Sequence, residues 1–352
     1  MRLTDLELTE ADKERYSRQI RFEGISAEGQ VRLKNARVLL CGCGALGTVL
    51  ANTLVRAGVG FLRIVDRDFV ETSNLQRQVL FDEEDAAEGA PKAIAAARKL
   101  GQINSLVTVD PVVAHIDRGN ILELASDVDL VLDGTDNFEV RYLINDAAIK
   151  LGVPWVHAGC VGSHGQLMVI VPGETPCLRC VFDAAPGPGE GGSCDTAGVL
   201  GTIVNLIASY QATEALKILA GRLDAVERHL VYVDCWENTL RRIKIAALTD
   251  RVDCPCCKKK RFEWLDGEHG AQTTTLCGRN AVQVAHASPV DLDFDVLARS
   301  LARVGDVSST RFLLRFSAED CAFTVFRDGR AIIKGTDDPD RAMALYARYI
   351  GH

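Results

Sequence analysis

The sequence predicts a doubly wound α/β fold with a largely parallel sheet. Three observations predict it. Apolar runs of strand length alternate with segments whose apolar positions recur at helical spacing. A glycine loop, Gly42-Cys-Gly-Ala-Leu-Gly47, joins the first such strand to a helix. The 352 residues suffice for about two units of roughly 150 residues each.

In chain order, residues 9–22 read as a helix, and a second short helix covers 27–34. Ala36 to Gly42 is an apolar strand ending in glycine, and the helix after the loop runs to Ala57. Gly58-Val-Gly60 closes it, and Phe61 to Asp66 is the second strand, completing a βαβ unit of about thirty residues. A helix over 91–101, a strand over 107–113, a short helix over 120–126 and a strand over 128–133 come next. A helix at 138–151 leads to strands at 155–158 and 165–171.

Residues 172–196, rich in proline and glycine, break this rhythm as a long loop expected to be functional or mobile. A helix over about 196–221 returns to the core, and 230–234 and 240–245 are late strands. A Cys- and Lys-rich knuckle spans 254–261. The expected division is a large α/β domain over 1–260 and a small α+β module over 261–352. In that module a helix covers 295–304, strands cover 311–316, 322–326 and 330–334, and a helix covers 339–349. Asp328-Gly329 between two alternating runs is a hairpin signal.

Composition removes several classes of function. Forty basic and 48 acidic residues leave a net charge of −8, so no chain-wide basic footprint for nucleic acid exists. The N-terminus has neither a basic nor an apolar leader segment, and the longest apolar stretch, 197–209, is interrupted by Asn205. A cytoplasmic protein with no membrane partner is therefore expected. Twelve cysteines in such a chain point to metal binding or thiol chemistry rather than to a disulfide scaffold. Cys41, Cys160 and Cys235 lie in apolar or strand-like surroundings, where a cysteine is ordinarily a small hydrophobe.

The loop Gly42, Gly44, Gly47 comes after a strand and opens a helix, the context in which backbone N–H groups and the helix dipole hold phosphate. Asp66, at the end of the next strand, is placed to take ribose hydroxyls. Alone this is a Rossmann-like dinucleotide fingerprint. The residues beyond Asp66 change that reading: Asn74 and Arg77 sit just past the ribose acid, Lys92 begins a helix, and Asp136 lies just after the fourth strand. Cations plus a carboxylate beyond strand ends fit ATP with magnesium. Separately, Cys177-x-x-Cys180 and Cys254-x-x-Cys257 can place four thiolates on one tetrahedral zinc, with a redox dithiol as the rival and Cys256 as a competing ligand. Cys194 lies between a glycine-rich stretch and a helix, where a thiol can have a lowered pKa; the equal alternative is a spare loop thiol.

Arg15-Tyr-Ser-Arg-Gln-Ile20, the glycine loop, Asp66 through Gln78, Pro91-Lys92, Gly134-Thr-Asp-Asn137, Cys177-Leu-Arg-Cys180, Cys194-Asp-Thr-Ala-Gly198 and Cys254-Pro-Cys-Cys257 occur in one order over about 9–260. Together they resemble the ThiF/MoeB/HesA adenylyltransferases, kin of the ubiquitin-activating enzymes. The resemblance makes 1–260 an adenylation domain. Ala45 departs from the family's usual third glycine by one methyl group. The resemblance implies ATP-dependent adenylation of the C-terminal glycine of a ubiquitin-like sulfur-carrier protein ending in Gly-Gly. It implies ribose binding by Asp66, phosphate binding by Asn74, Arg77 and Lys92, and magnesium binding by Asp136. It further implies Arg18 entering the site from the partner of a homodimer, and Cys194 accepting the activated carrier. It favours Cys254 and Cys257 over Cys256 as zinc ligands. Thiamin, molybdopterin or related biosynthesis is the implied setting, with cysteine formation and tRNA thiolation left open as the carrier's pathway and a sulfurtransferase or cysteine desulfurase as a further partner.

Two alternatives are carried. An NAD-dependent oxidoreductase accounts for the glycine loop and Asp66 but leaves Arg18, Asn74, Arg77 and the cysteine pairs without a task. The inactive half of a heterodimeric activating enzyme should lack parts of the ATP set, all of which this chain retains.

Overall fold

The computed structural model describes residues 7–183, 198–268, 275–276, 281–284, 292–302 and 305–350. The chain divides into two compact units, residues 1–86 with 91–270, and residues 271–352 with 87–90.

The first unit is built on one eight-stranded sheet. Its parallel half comprises β1 (Arg37–Cys41), β2 (Phe61–Val65), β3 (Thr108–Val112), β4 (Leu130–Asp133) and β5 (Trp155–Val161), in the spatial order β3-β2-β1-β4-β5. β6 (His164–Ile170), β7 (His229–Asp234) and β8 (Thr239–Lys244) continue the sheet antiparallel. Strand order reverses beside β1, so β1 and β4 point their C-terminal ends into the crevice where such sheets bind ligands. β4 is buried throughout and β1 nearly so, as central strands covered on both faces must be. In contrast, β8 is exposed along most of its length and ends the sheet.

Local sequence accounts for the helices that frame the crevice. The Ala45–Ala57 helix starts at Gly44 and stops at Gly58, whose left-handed backbone (φ 82°) closes it. The Phe138–Leu151 helix is capped by Asn137, whose side chain accepts from the Glu139 N–H, and ends at Gly152. The Gly201–Leu219 helix lays Ile203, Val204, Ile207 and Ala208 into the core. Among the described residues, no helix is long and apolar enough to cross a membrane.

The helix expected over 9–22 is two, Glu10–Arg15 and Ser17–Ile20. The break falls at Tyr16 (φ −97°, ψ 11°), whose ring is buried. Its hydroxyl accepts from Asn104 Nδ2 at 2.8 Å, and its ring fills the space beside Gly58, where a Cβ would come within 2.4 Å of it. Docking that ring draws the backbone out of helical dihedrals.

The second unit is an antiparallel sheet, with two helices whose apolar residues share its core. Its strands are β9 (Thr275–Leu276), β10 (Ala281–Val284), β11 (Val307–Ser309), β12 (Leu313–Ala318), β13 (Cys321–Phe326) and β14 (Ala331–Lys334), ordered β11-β12-β13-β14-β10-β9. The Phe294–Leu301 and Pro339–Tyr349 helices contribute Phe294, Leu301, Ala342, Leu345 and Tyr346 to that core. Phe316 and Phe323 stack at 4.3 Å across the β12–β13 pair. The expected turn at Asp328-Gly329 forms, with Gly329 at φ 84°. Glu319 and Asp320, both at positive φ, make the tight β12–β13 turn that side-chain patterning did not announce.

Candidate active site and cysteine cluster

The glycine loop leaves β1 and turns into the Ala45–Ala57 helix. Gly42 (φ 89°) lies against the loop after β4: a Cβ on it would meet the Gly134 carbonyl oxygen at 2.8 Å. A Cβ on Gly47 would come within 2.1 Å of the Gly42 oxygen. These two glycines therefore serve close backbone packing, which seats the Gly134–Asn137 segment beside the helix N-terminus. Gly44 differs. Among the described residues, a Cβ there would meet nothing nearer than Gln78 Nε2 at 3.9 Å, so none of them fills the space in front of the helix N-terminus.

Asp66, just past β2, accepts from the Cys43 N–H at 2.6 Å and the Asp68 N–H at 2.7 Å. Burial raises its pKa to about 6, although Lys92 pulls it down. The Lys92 ammonium is also buried and bonds Asp68 Oδ2 at 3.1 Å. Burial alone would lower its pKa, but Asp68, Asp66 and Asp136 together hold it above the ordinary lysine value. Asp66, Lys92 and Asp136 thus converge electrostatically, with Asp136 exposed at the mouth.

Asn74 is buried on the Thr72–Asn74 turn, where its side chain accepts from the Glu71 N–H. Arg77 is half-buried and donates to the Ser73 carbonyl at 3.0 Å; its Cα lies 3.8 Å from where a Cβ on Gly201 would stand. Arg18 stands exposed on the Ser17–Ile20 helix. Cys194 lies outside the described residues.

Three neighbours of these residues were given no role by the sequence reading. Asp68 accepts from the Lys92 ammonium. Gln78 is buried beside Gly44, and its Oε1 has no hydrogen-bond partner among the described residues. Asp133, at the end of β4, anchors the Asp136 loop from below. Gln78 sits next to Arg77 and could have been flagged by position; the other two depend on contacts between distant segments.

Cys177, Cys180, Cys254 and Cys257 bring their sulfurs within 4.8 Å of one another. Three edges measure 3.8, 3.6 and 3.4 Å. Four sulfurs about 2.3 Å from one ion stand about 3.8 Å apart, so the cluster has tetrahedral zinc dimensions and not those of a disulfide at about 2.05 Å. Hydrogen bonds from Cys177 and Cys180 push the Cys254 thiol far below its ordinary value. Cys256 is not one of the four: its sulfur accepts from Asn145 Nδ2 at 3.3 Å, while Asn145 Oδ1 accepts from the Leu178 N–H at 2.9 Å. One asparagine thus pins both halves of the knuckle to the Phe138–Leu151 helix. The Arg179–Glu263 ion pair at 3.1 Å and the Tyr142–Trp264 stack at 5.0 Å close the cluster's surroundings.

A switch-point crevice that brings a helix N-terminus, a buried carboxylate and a buried lysine together has the form in which α/β sheets bind nucleotides. The model of the ThiF family matches residues 16–256, and the chain belongs to that family. It is 44% identical over 338 residues to the sulfur carrier protein ThiS adenylyltransferase of Bacillus subtilis, covering 96% of this chain and 99% of that one. It is 40% identical over 252 residues to the SAMP-activating enzyme E1 of Haloferax volcanii, covering 72% and 91%. Among solved structures, Escherichia coli MccB with MccA-N7isoASN superposes with a TM-score of 0.60 at 24% identity, covering 69% of this chain and 74% of that one.

Proposed function

We propose that this chain uses ATP with magnesium to adenylate the C-terminal glycine of a ubiquitin-like sulfur-carrier protein ending in Gly-Gly. The observation that carries this is the 44% identity to the Bacillus subtilis enzyme over 99% of its length. The site chemistry agrees. An oxygen of the carrier's terminal carboxylate attacks the α-phosphorus of ATP. The bond from that phosphorus to the oxygen bridging the β-phosphorus breaks, and pyrophosphate leaves with the electron pair.

In this reading Gly42 and Gly47 pack the phosphate loop tightly, Gly44 lets the N–H groups of the Ala45–Ala57 helix approach phosphate, and Asp66 accepts from the ribose hydroxyls. Asn74 and Arg77 bind phosphate, and Lys92 exchanges Asp68 for a phosphate oxygen. Asp136 would hold magnesium, which neutralises charge developing on the departing pyrophosphate. Arg18, exposed on its own chain, completes the clamp in the partner of a homodimer. The Cys194 thiolate attacks the carbonyl carbon of the carrier's acyl-adenylate and AMP leaves with the electron pair of the broken acyl–phosphate bond, giving a thioester; a sulfurtransferase or cysteine desulfurase supplies the sulfur for thiamin, molybdopterin or related biosynthesis. Cys177, Cys180, Cys254 and Cys257 would hold a structural zinc. Twelve cysteines suit the reducing cytoplasm, to which we assign the activity.

The test is ATP–pyrophosphate exchange with purified protein. Exchange that requires both magnesium and a carrier ending in Gly-Gly is expected. Exchange indifferent to the carrier, or binding of NAD but not ATP, overturns the proposal.

A further inference from the structure

Behind the Asp136 loop lies a buried polar cluster that none of the roles above uses. Asp133 is fully buried at the end of β4. Its Oδ1 accepts from the Thr135 N–H at 2.9 Å and from the Thr135 hydroxyl at 2.7 Å. Its Oδ2 lies 3.2 Å from Arg141 Nε and 2.8 Å from His157 Nδ1. Arg141 reaches the same loop from the other side, since its Nη2 donates to the Thr135 carbonyl at 2.7 Å. Gln211 Nε2 donates to the Asp133 carbonyl at 2.8 Å and to the Val156 carbonyl at 2.9 Å, which ties the ends of β4 and β5 together. Both backbone polar groups of Thr135, the residue before Asp136, are therefore held by side chains anchored in the core.

The protonation states are set by the surroundings. Burial alone would raise the Asp133 pKa, but the Arg141 guanidinium and the hydrogen bond from His157 hold it below the usual carboxylate range. An ionised carboxylate has no proton to give, so the His157 Nδ1–H donates to it. Burial lowers the His157 pKa although Asp133 opposes this, and Nε2 of the neutral ring faces Gln166 Nε2 at 3.4 Å. A buried charge with this many donors is costly to build and would be replaceable by apolar residues if it served packing alone.

We infer that Arg141 and His157 are positioning residues: through Asp133 and Thr135 they set the backbone of the Asp136 loop and so its capacity to hold a divalent cation beside a nucleotide. The inference rests on the proposed magnesium role of Asp136. Groups that orient metal ligands from behind ordinarily change metal affinity by about tenfold or more when replaced.

The test is titration of manganese, monitored by electron paramagnetic resonance, into the full chain saturated with a non-hydrolysable ATP analogue. Arg141→Lys keeps a cation near Asp133 but gives up the bond to the Thr135 carbonyl, and should weaken manganese binding about tenfold. His157→Ala should do the same, whereas His157→Asn, whose amide nitrogen replaces Nδ1, should bind within about twofold of wild type. Thr135→Val removes one bond from a half-buried loop residue, leaves the core intact, and should weaken binding several-fold. Affinity of the analogue without metal should stay unchanged in all four. Folded Arg141→Lys and Thr135→Val proteins with wild-type manganese affinity would overturn the inference. So would a His157→Asn protein as weak as His157→Ala. A wild-type complex that takes up no manganese fails at the earlier step, the assignment of Asp136 itself.

Discussion

The crevice around the glycine loop and the cysteine cluster are both built where distant segments meet, yet they dispose of their polar atoms in opposite ways. In the cluster, four sulfurs face one another, three of the cysteines are buried, and an asparagine turns the fifth thiol aside. At the crevice, Asp136 is exposed, and among the described residues nothing fills the space before Gly44 and the buried Gln78 Oε1 has no hydrogen-bond partner. A closed donor set is what a structural ion needs, and an open one is what a reacting ligand needs. The contrast separates support from chemistry by geometry, independently of which cysteines or acids a motif contains.

The sharpest way to break that contrast is Asp136→Ala. The side chain is exposed, so the protein should keep its circular dichroism spectrum, while exchange falls by about a hundredfold or more. Arg18→Ala should be comparably inactive. Mixed with Asp136→Ala it should regain part of the activity, because one heterodimer site then has both residues intact. If subunits exchange and the mixture stays dead, Arg18 does not act in trans.

Cys177→Ser attacks the other region. Metal analysis should find about one zinc per chain in wild type and a loss in the variant. The melting temperature should fall by about 10 °C, since zinc binding is coupled to folding free energy. A wild-type protein that is folded and free of zinc contradicts the structural assignment.

Gly44 and Gly47 sharpen the comparison within the loop itself. Gly47→Ala must push a methyl into the Gly42 carbonyl and should destabilise the fold by about 1–3 kcal/mol. Among the described residues, the methyl of Gly44→Ala meets only Gln78 Nε2, at 3.9 Å, so stability should hold while ATP affinity drops about tenfold, about 1.4 kcal/mol. Equal losses of stability in the two variants would remove the distinction between packing glycine and ligand-facing glycine.

The smallest expected effect is on pH. Asp66 in the free protein has its pKa raised to about 6, so it is a carboxylate above that value and protonated below it. As pH falls through about 6 the acceptor for the ribose hydroxyls is lost, and calorimetric ATP affinity should decline several-fold. In Asp66→Asn that step should disappear.

Much of this was legible in the sequence because it is local. The Phe138–Leu151 helix and the Pro339–Tyr349 helix fall where their apolar spacing and bounding residues put them. The glycine loop announced the crevice through its strand-loop-helix context. Contacts between distant segments were not legible. Tyr16 breaks a helix because Asn104 and Gly58 receive it, and neither is near it in sequence. Cys256 sits between Cys254 and Cys257 in sequence, where the C-x-x-C spacing alone left it a competitor, and the structure gives it a hydrogen bond from Asn145 instead. Asp133 reads as the last residue of an apolar strand before a motif, while its partners Arg141 and His157 come from a helix and a neighbouring strand. The antiparallel half of the sheet was likewise hidden, because strand direction depends on what the intervening chain does in space.

The most direct measurement is the intact mass of a carrier ending in Gly-Gly after brief incubation with this protein, ATP and magnesium, quenched in acid. The account predicts a species heavier by one adenylyl group, placed by fragmentation on the terminal glycine, and none on a carrier lacking that residue. An unmodified carrier under conditions where the protein binds ATP, or an adenylyl group anywhere but the C-terminal carboxylate, would contradict it.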